Sequence, residues 1–371
     1  MKNYDLIIVG SGLFGATVAY KANQEGKRCL VLERRKNVGG NVRDEWHDGI
    51  NVHLYGAHIF HTDYEDVWKF VNQFTSFSSY VHTVMARNTG KLYHLPFNMN
   101  TYYDLYGVTT PEDVAAIMKS ESRKEYYDNP NNLEEKAVSL VGRPMYETLV
   151  KGYTEKQWGR PATDLPADVI TRIPVRQTFD NRYFSDKYQG IPTEGYFAMI
   201  SRMLQGVEVK TDVDFCQHRN YWIEQTKAVL YTGCLDELMD YKLGELEYRT
   251  LDFQTSCMEI PNYQGMAVIN ETGTDVAYTR TIEHKHFDYN NNAPFTIVTR
   301  EYPKKWSIGM EPYYPINNER NNKLHKSYVD LLKYTCPSVG VGGRLADYRY
   351  YDMDDTVKNA LKIALCLFEK P

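Results

Sequence analysis

The residues whose spacing most directly suggests chemistry are three glycines near the start of the chain. Gly10, Gly12 and Gly15 follow the G-x-G-x-x-G pattern, directly after the apolar run at 4–9. Such glycines permit a tight turn and close approach of a pyrophosphate, which then faces a helix N-terminus. Glu33 ends the next apolar run, where a carboxylate can bind ribose hydroxyls. The pattern predicts a dinucleotide site; the alternative is a tight turn and a surface acid.

A second glycine turn follows Glu33 within ten residues, in the stretch RRKNVGGN with Gly39, Gly40 and Asn41. Sites for nicotinamide dinucleotides need no such turn. Flavin sites often have one, because the pyrophosphate and the ribityl chain run deeper into the protein. We therefore predict FAD as the cofactor.

A third glycine turn lies near the end of the chain, in the stretch GGRLADYRYYDMDDT that contains Gly343. We expect this turn to open the last helix. Its backbone N–H groups would then reach the flavin ring and the ribityl oxygens. The simpler alternative for this turn is a helix cap.

The elements that must hold these turns form a nucleotide-binding fold. The apolar runs YDLIIV and RCLVLE flank a helical pattern that stops at Gly26, which is a βαβ unit. Similar patterns return near 197–240 and at the end of the chain. We predict an α/β protein with a Rossmann-type FAD-binding domain split in sequence, a helical insert and an antiparallel β-sheet domain.

Two insertions set the predicted domain boundaries. One insertion has polar, helical spacing, and the other is rich in strand patterns. The predicted segments are 1–77, 197–240 and 315–371 for the FAD-binding domain, 98–170 for the helical insert, and 78–97, 171–196 and 241–314 for the strand-rich substrate domain.

The composition limits the partners and the compartment. The 371 residues carry a net charge of −5, which gives no general attraction to nucleic acid or anionic membranes. The six cysteines form no C-x-x-C pair, which fits a reducing compartment and argues against a zinc or dithiol centre. No apolar run approaches the length of a membrane span. We expect a cytoplasmic protein with no nucleic-acid partner and no membrane insertion.

Several long segments occur together in chain order and carry a family resemblance. They include DLIIVGSGLFG, YGAHIFHT, LPFNMNT, GYTEKQWGR, TFDNRYFSDKYQGIP and GGRLADYRYYDM. On these segments the sequence resembles prokaryotic UDP-galactopyranose mutases over essentially its whole length. The resemblance implies interconversion of UDP-galactopyranose and UDP-galactofuranose by covalent catalysis through N5 of reduced FAD, with no net redox change. It also implies a supply of galactofuranose for cell-surface glycans such as lipopolysaccharide.

The resemblance assigns the substrate diphosphate to two arginines, Arg172 and Arg280. A guanidinium is permanently charged and can bind two phosphate oxygens at once. Because Arg172 lies in the loop-like stretch 171–196, we expect a loop that closes over the substrate. Without the resemblance, we would interpret either arginine as part of a surface ion pair and the aromatic residues as core residues. The implied substrate-binding residues are Tyr153, Thr154, Trp158, Arg172, Tyr183, Asn270, Arg280, Tyr314 and Tyr350.

The segment YGAHIFHT is implied to lie beside the flavin ring. We interpret His58 as a catalytic residue, alongside the two arginines, that positions N5 and its hydrogen bond without being an obligatory acid. No third ligand is spaced to join His58 and His61, or His284 and His286 on a predicted strand, so we predict no metal. The predicted cofactor-binding residues are Gly10, Gly12, Leu13, Phe14, Gly15, Glu33, Arg34, Gly39, Gly40, Asn41, Ala57, His58, Gly343, Arg344, Tyr351, Asp352, Met353 and Thr356.

Three positions depart from the family pattern. His82 stands where the family has an asparagine that touches the sugar, so we place His82 among the substrate-binding residues. Cys234 replaces an expected proline, and Met310 replaces an expected acid. The first departure leaves the sugar open between galactose and its 2-acetamido derivative, UDP-N-acetylgalactosamine.

The expected partners are a UDP-sugar substrate, an unidentified electron donor for FAD and, from the resemblance, a second copy in a homodimer. Two other functions compete with the mutase. One is a flavin oxidoreductase of the amine-oxidase type, which shares the glycine turns but leaves the two arginines and the tyrosine set unexplained. The other is a FAD-containing protein that binds UDP-sugars without turnover.

Overall fold

The computed structural model of the chain describes residues 2–368, apart from the side chains of Asp168, Thr171 and Arg172. The described residues form sixteen strands and twelve α-helices. The strands are β1 (Tyr4–Val9), β2 (Cys29–Leu32), β3 (Asp44–His47), β4 (Ile50–His53), β5 (Phe60–Thr62), β6 (Val84–Asn88), β7 (Lys91–Leu95), β8 (Tyr188–Gly190), β9 (Glu208–Lys210), β10 (Thr226–Tyr231), β11 (Tyr248–Met258), β12 (Val268–Glu271), β13 (Arg280–Glu283), β14 (Thr296–Lys305), β15 (Tyr314–Pro315) and β16 (Val339–Val341).

Twelve α-helices lie between or after these strands. They are α1 (Leu13–Gln24), α2 (Glu65–Val71), α3 (Met99–Tyr106), α4 (Pro111–Lys124), α5 (Leu133–Val141), α6 (Arg143–Met145), α7 (Gly152–Trp158), α8 (Tyr196–Met203), α9 (Arg219–Gln225), α10 (Leu235–Leu238), α11 (Glu319–Thr335) and α12 (Met353–Phe368). A π-helical turn, Tyr146–Lys151, joins α6 to α7. No described helix is both long enough and apolar enough to cross a membrane.

A parallel five-stranded sheet, in the order β16-β10-β1-β2-β9, contains the first glycine turn at its carboxyl edge. Both faces of this sheet are buried, as parallel sheets require. Ile8 packs with residues of α1 and α12 in one core cluster, while Ile7 packs with Tyr328 and Leu332 of α11 in another. The five strands come from three distant parts of the chain. The predicted α/β class and the split Rossmann-type domain are therefore confirmed.

A second sheet has seven strands in the order β15-β11-β14-β13-β12-β6-β7. It is antiparallel except at one pair, because β6 lies parallel to β12. The sheet that we predicted to be antiparallel is thus mixed. The strands β6 and β7 form a hairpin from an earlier part of the chain, and β6 of this hairpin adds to the edge of β12. In its register, Asn270 lies opposite Arg280, and Arg280 lies opposite Glu301. Three polar side chains therefore occupy one row across three strands.

Helices α3 to α7 fill residues 99–158, within the predicted helical insert. Their ends follow ordinary capping rules. Asn98 and Thr101 form a capping box at the start of α3, and Pro111 occupies the first turn of α4 after the Thr110 cap. The domain boundaries themselves stay a prediction.

The tightest packing of the first βα unit is at Gly15. A Cβ atom there would overlap the carbonyl oxygen of Gly10. We expect Gly15→Ala to lower the free energy of unfolding by about 3 kcal/mol, because neither backbone can move without disturbing the sheet. Thermal unfolding followed by circular dichroism measures this. Gly340→Ala is the matched control, since its Cβ would lie 3.8 Å from Val229 O, an ordinary contact. Equal stability of the two variants would contradict the packing argument.

Candidate functional site

A cleft of about 760 Å³ runs from the carboxyl edge of the parallel sheet to the face of the second sheet. Ligands bind at this edge in open α/β sheets. Its walls include all three glycine turns and the row formed by Asn270, Arg280 and Glu301. The cleft therefore joins the predicted dinucleotide site to the predicted substrate site.

The first two glycine turns pack against each other. Gly10 has φ +104° and Gly40 has φ +55°, conformations that glycine adopts without strain. A Cβ atom at Gly40 would lie 2.8 Å from Gly12 Cα, and Gly39 N–H donates to Ser11 O at 3.2 Å. The second turn thus has a reason besides cofactor approach, because only glycine lets its backbone pack on the first turn.

Glu33 is buried at the end of β2 and faces the cleft. Its carboxylate accepts hydrogen bonds from the N–H and hydroxyl of Ser11 and from the N–H of Arg35. An ionised carboxylate has about four acceptor positions, so at least one remains for a ligand hydroxyl. The geometry fits the predicted ribose acceptor.

Two adjacent arginines follow Glu33 and differ in their roles. Arg34 pairs with Glu311 at 2.8 Å and with Glu237 at 3.7 Å. Arg35 also pairs with Glu311, yet its buried Nη1 has no hydrogen-bond partner. An unsatisfied buried donor in a cleft wall is an expected contact for a bound anion or acceptor. Arg35 was not among the residues predicted from the sequence, although its position directly after Arg34 was the available signal.

The third glycine turn does not open the last helix directly, which corrects the prediction. Gly343 has φ +94°, and its N–H donates to the Asp347 carboxylate at 3.2 Å. Asp347 N–H returns to Gly343 O, which closes a separate turn ten residues before α12 begins at Met353. Both the turn and the start of α12 nevertheless line the cleft.

Most of the predicted cofactor-binding residues lie in the cleft wall. Phe14, Gly15 and Gly39 lie behind it, and Phe14 packs against the third glycine turn. Those in the wall are Gly10, Gly12, Leu13, Glu33, Arg34, Gly40, Asn41, Ala57, His58, Gly343, Arg344, Tyr351, Asp352, Met353 and Thr356.

Arg280 is held by three partners at the other end of the cleft. Its guanidinium donates to Asn270 Oδ1 at 3.4 Å and to Tyr153 OH at 3.2 Å, and pairs with Glu301 at 3.4 Å. Burial is the largest single influence and opposes the positive charge, but Glu301 together with nearby tyrosines outweighs burial, and the pKa of Arg280 is raised well above its ordinary value. Burial raises the pKa of Glu301 against the lowering effect of Arg280. The cleft therefore holds a fixed cation.

Glu301 was missed in the sequence analysis. Its signal was weak, since an acid within the strand TIVTREYPKK reads as one of many exposed charges. The structure shows it 2% exposed, and a Cβ atom at Gly56 would lie 2.8 Å from its Oε1. Only the pairing of β13 with β14 brings it to Arg280.

Arg172 ends the 3₁₀ helix Ala167–Arg172, and its side chain lies outside the described residues. The proposed sharing of one diphosphate between Arg172 and Arg280 stays a prediction. Much of the following segment is irregular, apart from β8, which pairs with β5.

The predicted tyrosines are divided between the cleft and the helix α7. Tyr183, Tyr314 and Tyr350 line the cleft, and the rings of Tyr314 and Tyr350 stack with centroids 6.2 Å apart. Tyr153 reaches the site through its contact with Arg280. Thr154 is buried on the same helix, and Trp158 packs against the main core cluster; neither belongs to the cleft wall.

His58 is held as a neutral ring in the cleft wall. Its Nδ1 lies 2.8 Å from Gly56 O, and because a carbonyl only accepts, Nδ1 carries the proton. This leaves Nε2 as an acceptor. The pKa of His58 is lowered to about 4, mainly by burial and to a smaller extent by Arg344 and Arg280, while the hydrogen bond to Gly56 opposes the change. The ring can accept a hydrogen bond near neutral pH but is a poor proton donor.

His82 is buried in the part of the cleft wall near Arg280. Its Nδ1 lies 3.2 Å from Tyr80 OH, and its ring contacts Tyr183. Burial, with a smaller contribution from Arg280, lowers the pKa of His82 to about 3. Val84 and Val268 also line this part of the cleft. The wall formed by His82, Val84 and Val268 therefore presents one neutral polar group, the His82 ring, beside apolar side chains.

The described residues contain no group of three or more His, Cys, Asp or Glu side chains placed to hold a metal ion. His284 and His286 lie in a 3₁₀ turn, His284–Phe287, and not on a strand as predicted. Strand β13 ends at Glu283, whose carboxylate accepts hydrogen bonds from the Tyr263 and Gln264 N–H groups. Burial lowers the pKa of His284 to about 3, and its Nε2 contacts Thr299 Oγ1 at 2.7 Å.

Comparison with known proteins gives this cleft a context. A family described as UDP-galactopyranose mutase matches residues 148–350, which is more than half of the chain. The chain belongs to the UDP-galactopyranose mutase family. A second family, described as a NAD(P)-binding Rossmann-like domain, matches residues 8–74, which contain the first two glycine turns. The dinucleotide-binding character of this domain is thus confirmed.

Two similar proteins match nearly the whole chain. A "dTDP-fucopyranose mutase" of Escherichia coli is 36% identical and covers 97% of both chains. A "probable UDP-galactopyranose mutase" of Klebsiella pneumoniae is also 36% identical and covers 98% of this chain and 94% of its own.

Among solved structures, a reduced UDP-galactopyranose mutase has a TM-score of 0.74 at 14% identity and covers 98% of this chain and 95% of its own. A putrescine oxidase has a TM-score of 0.59 at 11% identity and covers 99% of each chain. At these identities the two structures show a shared fold alone.

Proposed function

We propose that this protein is an isomerase that interconverts UDP-galactopyranose and UDP-galactofuranose, with FAD as its cofactor and with no net redox change. The observation that carries the proposal is the half-buried Arg280, held by Asn270, Tyr153 and Glu301 in a cleft that is continuous with the dinucleotide cradle formed by the first two glycine turns. The family relatives that are named mutases support the same activity.

The cradle fits FAD on three grounds. Two glycine turns pack so closely that only glycine is accommodated at Gly40. Arg35 lines the same cleft as Glu33, and its buried Nη1 is a hydrogen-bond donor without a partner. The cleft is also long enough to join this cradle to Arg280, as a flavin dinucleotide requires. When bound and reduced, FAD would supply N5, a nitrogen lone pair that can attack the anomeric carbon of the sugar.

Arg280 would hold the diphosphate when the bond to the sugar breaks and until it forms again. The charge of UDP as leaving group needs a fixed cation in a site screened from water. Glu301 keeps the guanidinium charged and oriented, so no reorganisation is needed as negative charge develops. Arg172 would supply a second cation from the segment that follows it.

The remaining polar groups would orient the nucleotide sugar. The hydroxyls of Tyr183, Tyr314 and Tyr350 would donate to the diphosphate from the cleft wall. Tyr153 and Asn270 would contact the substrate beside Arg280. Thr154 and Trp158 would act from helix α7 on the uridine and the sugar.

His58 would position the reactive nitrogen of the flavin. Its Nδ1 proton is held by Gly56 O, so Nε2 is available to accept a hydrogen bond from an N–H group. This role needs the neutral ring, which burial favours.

The pH dependence of turnover tests this role for His58. Because its pKa is about 4, the ring stays neutral at higher pH and becomes charged only as pH falls toward 4. We expect kcat to show no ionisation of His58 between roughly pH 5.5 and 8, and to fall under more acidic conditions. The profile is measured for the wild type and for His58→Gln. A break near the ordinary histidine pKa that is absent from His58→Gln would contradict the assignment.

The identity of the nucleotide sugar has a second candidate. The relative named dTDP-fucopyranose mutase is as similar to this chain as the relative named probable UDP-galactopyranose mutase. The wall of His82, Val84 and Val268 offers apolar surface and one neutral polar group. Such a wall accommodates a methyl or an acetamido methyl group as well as a hydroxymethyl group, so UDP-N-acetylgalactosamine belongs to the same test.

Anaerobic turnover by dithionite-reduced, FAD-loaded protein decides among these substrates. The panel contains UDP-galactofuranose, dTDP-fucopyranose and UDP-N-acetylgalactopyranose, and the products are separated by chromatography. We expect UDP-galactopyranose to form from the first. Steady consumption of O₂ or NAD(P)H with substrate would instead indicate an oxidoreductase, and binding of UDP-sugars without product would indicate a binding protein.

The cellular setting completes the proposal. All six cysteines are free thiols, which suits the reducing cytoplasm. An electron donor of that compartment would keep FAD reduced, and the product would serve cell-surface glycans. We further propose a homodimer, which sedimentation analysis would test.

A further inference from the structure

Lys156 makes contacts that the site described above does not use. It lies on α7, outside the cleft wall, and its ammonium group reaches four backbone carbonyls. The distances from Nζ are 2.8 Å to Glu271 O, 2.7 Å to Gly273 O, 3.2 Å to Val276 O and 3.1 Å to Tyr278 O. An ammonium has three donors, so the four oxygens surround it much as they would a bound cation.

Glu271 is the last residue of β12, and the other three carbonyls belong to the segment 272–279 that joins β12 to β13. Asn270 precedes this segment and Arg280 follows it, and the two residues pair across the hairpin. The segment contains one glycine, Gly273, and little regular structure of its own. Its shape sets the distance and angle between the two side chains that it joins.

Helix α7 supplies the other side of this contact. Lys156 follows Tyr153 by three residues, about one turn of the same helix. A Cβ atom at Gly152 would overlap the carbonyl oxygen of Thr272, so the helix backbone packs directly on the segment. Lys156 therefore fastens the helix that bears Tyr153 to the hairpin that bears Arg280.

The charges around Lys156 are few. Glu271 pairs with Arg87 at 3.1 Å, and Asp275 lies in the segment itself. Arg249 donates to Gln157 O and Lys156 O from β11. Burial lowers the pKa of Lys156 to about 8, although Glu271 and Asp275 oppose the change.

We propose that Lys156 is a positioning residue for nucleotide binding: its ammonium group acts as a tethered cation that holds the 271–278 carbonyls and so keeps Asn270 and Arg280 in place beside Tyr153. The inference rests on the proposed function, since it assumes that Arg280 binds the diphosphate. We therefore expect that removal of the Lys156 ammonium group weakens UDP binding while FAD stays bound.

The first test compares Lys156→Met with Lys151→Met in the oxidised, FAD-loaded protein. Lys151 lies on the preceding turn and pairs with Glu147 on the surface, so it is the matched control. The dissociation constant for UDP is measured by calorimetry, and FAD content by absorbance. We expect Lys156→Met to bind UDP roughly tenfold more weakly with FAD retained, and Lys151→Met to be unchanged. UDP affinity of Lys156→Met within twofold of the wild type would overturn the proposal.

The second test does not depend on whether the Lys156→Met variant folds. UDP affinity of the wild type is measured from pH 7 to 9 in parallel with Lys156→Arg. Above pH 8 the neutral amine of Lys156 has fewer donors, and we expect affinity to fall, whereas the arginine variant keeps its charge and its affinity across the range. A wild-type affinity that is constant across this range, or the same decline in both proteins, would overturn the proposal.

The outcomes also separate this proposal from the proposed function. UDP binding without turnover by the reduced wild type would contradict the mutase activity and leave the Lys156 measurement intact. Turnover by the reduced wild type, together with an unaltered UDP affinity in Lys156→Met, would contradict only the role of Lys156. A wild type that binds no UDP would overturn both.

Discussion

Replacement of Arg280 with alanine is expected to lower kcat by about 10²–10³-fold, a loss of one preorganised charge donor in the transition state. The guanidinium is half-buried and is fixed by Glu301, Asn270 and Tyr153, so the variant loses a preorganised cation that water cannot replace. The flavin cradle lies at the other end of the cleft, so FAD content should be unchanged. Anaerobic kinetics of the reduced protein and the visible flavin spectrum measure the two quantities.

Arg300→Ala is the matched control for this change. Arg300 lies on β14 opposite Thr281 and makes an exposed hydrogen bond to Tyr263, which lies in the connection between β11 and β12. We expect near-normal turnover from Arg300→Ala. Arg172→Ala should resemble Arg280→Ala, with FAD retained. Near-normal turnover in Arg280→Ala would show that this guanidinium does not hold the leaving group.

Gly12→Val is expected to leave the protein folded and nearly free of FAD, with occupancy below about a tenth of the wild type. A Cβ atom at Gly12 would lie 3.7 Å from Gly40 Cα, an ordinary contact, and the Gly12 backbone is not left-handed. The protein itself therefore tolerates a side chain there. A bound cofactor would not tolerate this side chain, because the valine methyl groups would occupy the space that the pyrophosphate needs beside residue 12.

The flavin-to-protein absorbance ratio and the far-ultraviolet circular dichroism spectrum check this expectation together. Gly340→Val, on a strand of the same sheet but away from the cleft wall, should keep its FAD. A fully yellow Gly12→Val protein would contradict the placement of the pyrophosphate at the first turn. Loss of the folded spectrum would show that Gly12, like Gly15, is limited by protein packing.

The parts of the site that the sequence predicted are local. The glycine spacing, the acid after β2 and the buried apolar runs fix a βα turn within about 30 residues, so the first cradle could be derived from pattern alone. The second turn was also predicted, but not its packing against the first. That contact between Gly12 and Gly40 depends on how two turns meet in space.

The parts that the sequence could not predict depend on strand register. Glu301 and Arg280 are 21 residues apart and meet because β13 and β14 pair with that register. The parallel pairing of β6 with β12 joins segments about 180 residues apart, which no local pattern encodes. The contacts of Lys156 have no sequence signal, because its four partners are backbone carbonyls that belong to no sequence motif.

Two local predictions were wrong for local reasons. The third glycine turn was expected to open the last helix, but the Asp347 carboxylate captures the Gly343 N–H and closes a turn of its own. The alternating histidines after Glu283 suggested a continued strand. The chain instead turns at His284, whose ring is buried against Thr299.

The most direct test of the mutase proposal is the number of turnovers obtained from a fixed amount of reductant. The FAD-loaded protein is reduced with dithionite, freed of excess reagent under anaerobic conditions, and mixed with a large molar excess of UDP-galactofuranose. Product is counted by chromatography while the visible flavin absorbance is followed. We predict many equivalents of UDP-galactopyranose per flavin, with the flavin still reduced at the end. One equivalent of product or less, with reoxidation of the flavin, would contradict an isomerase and indicate net redox chemistry.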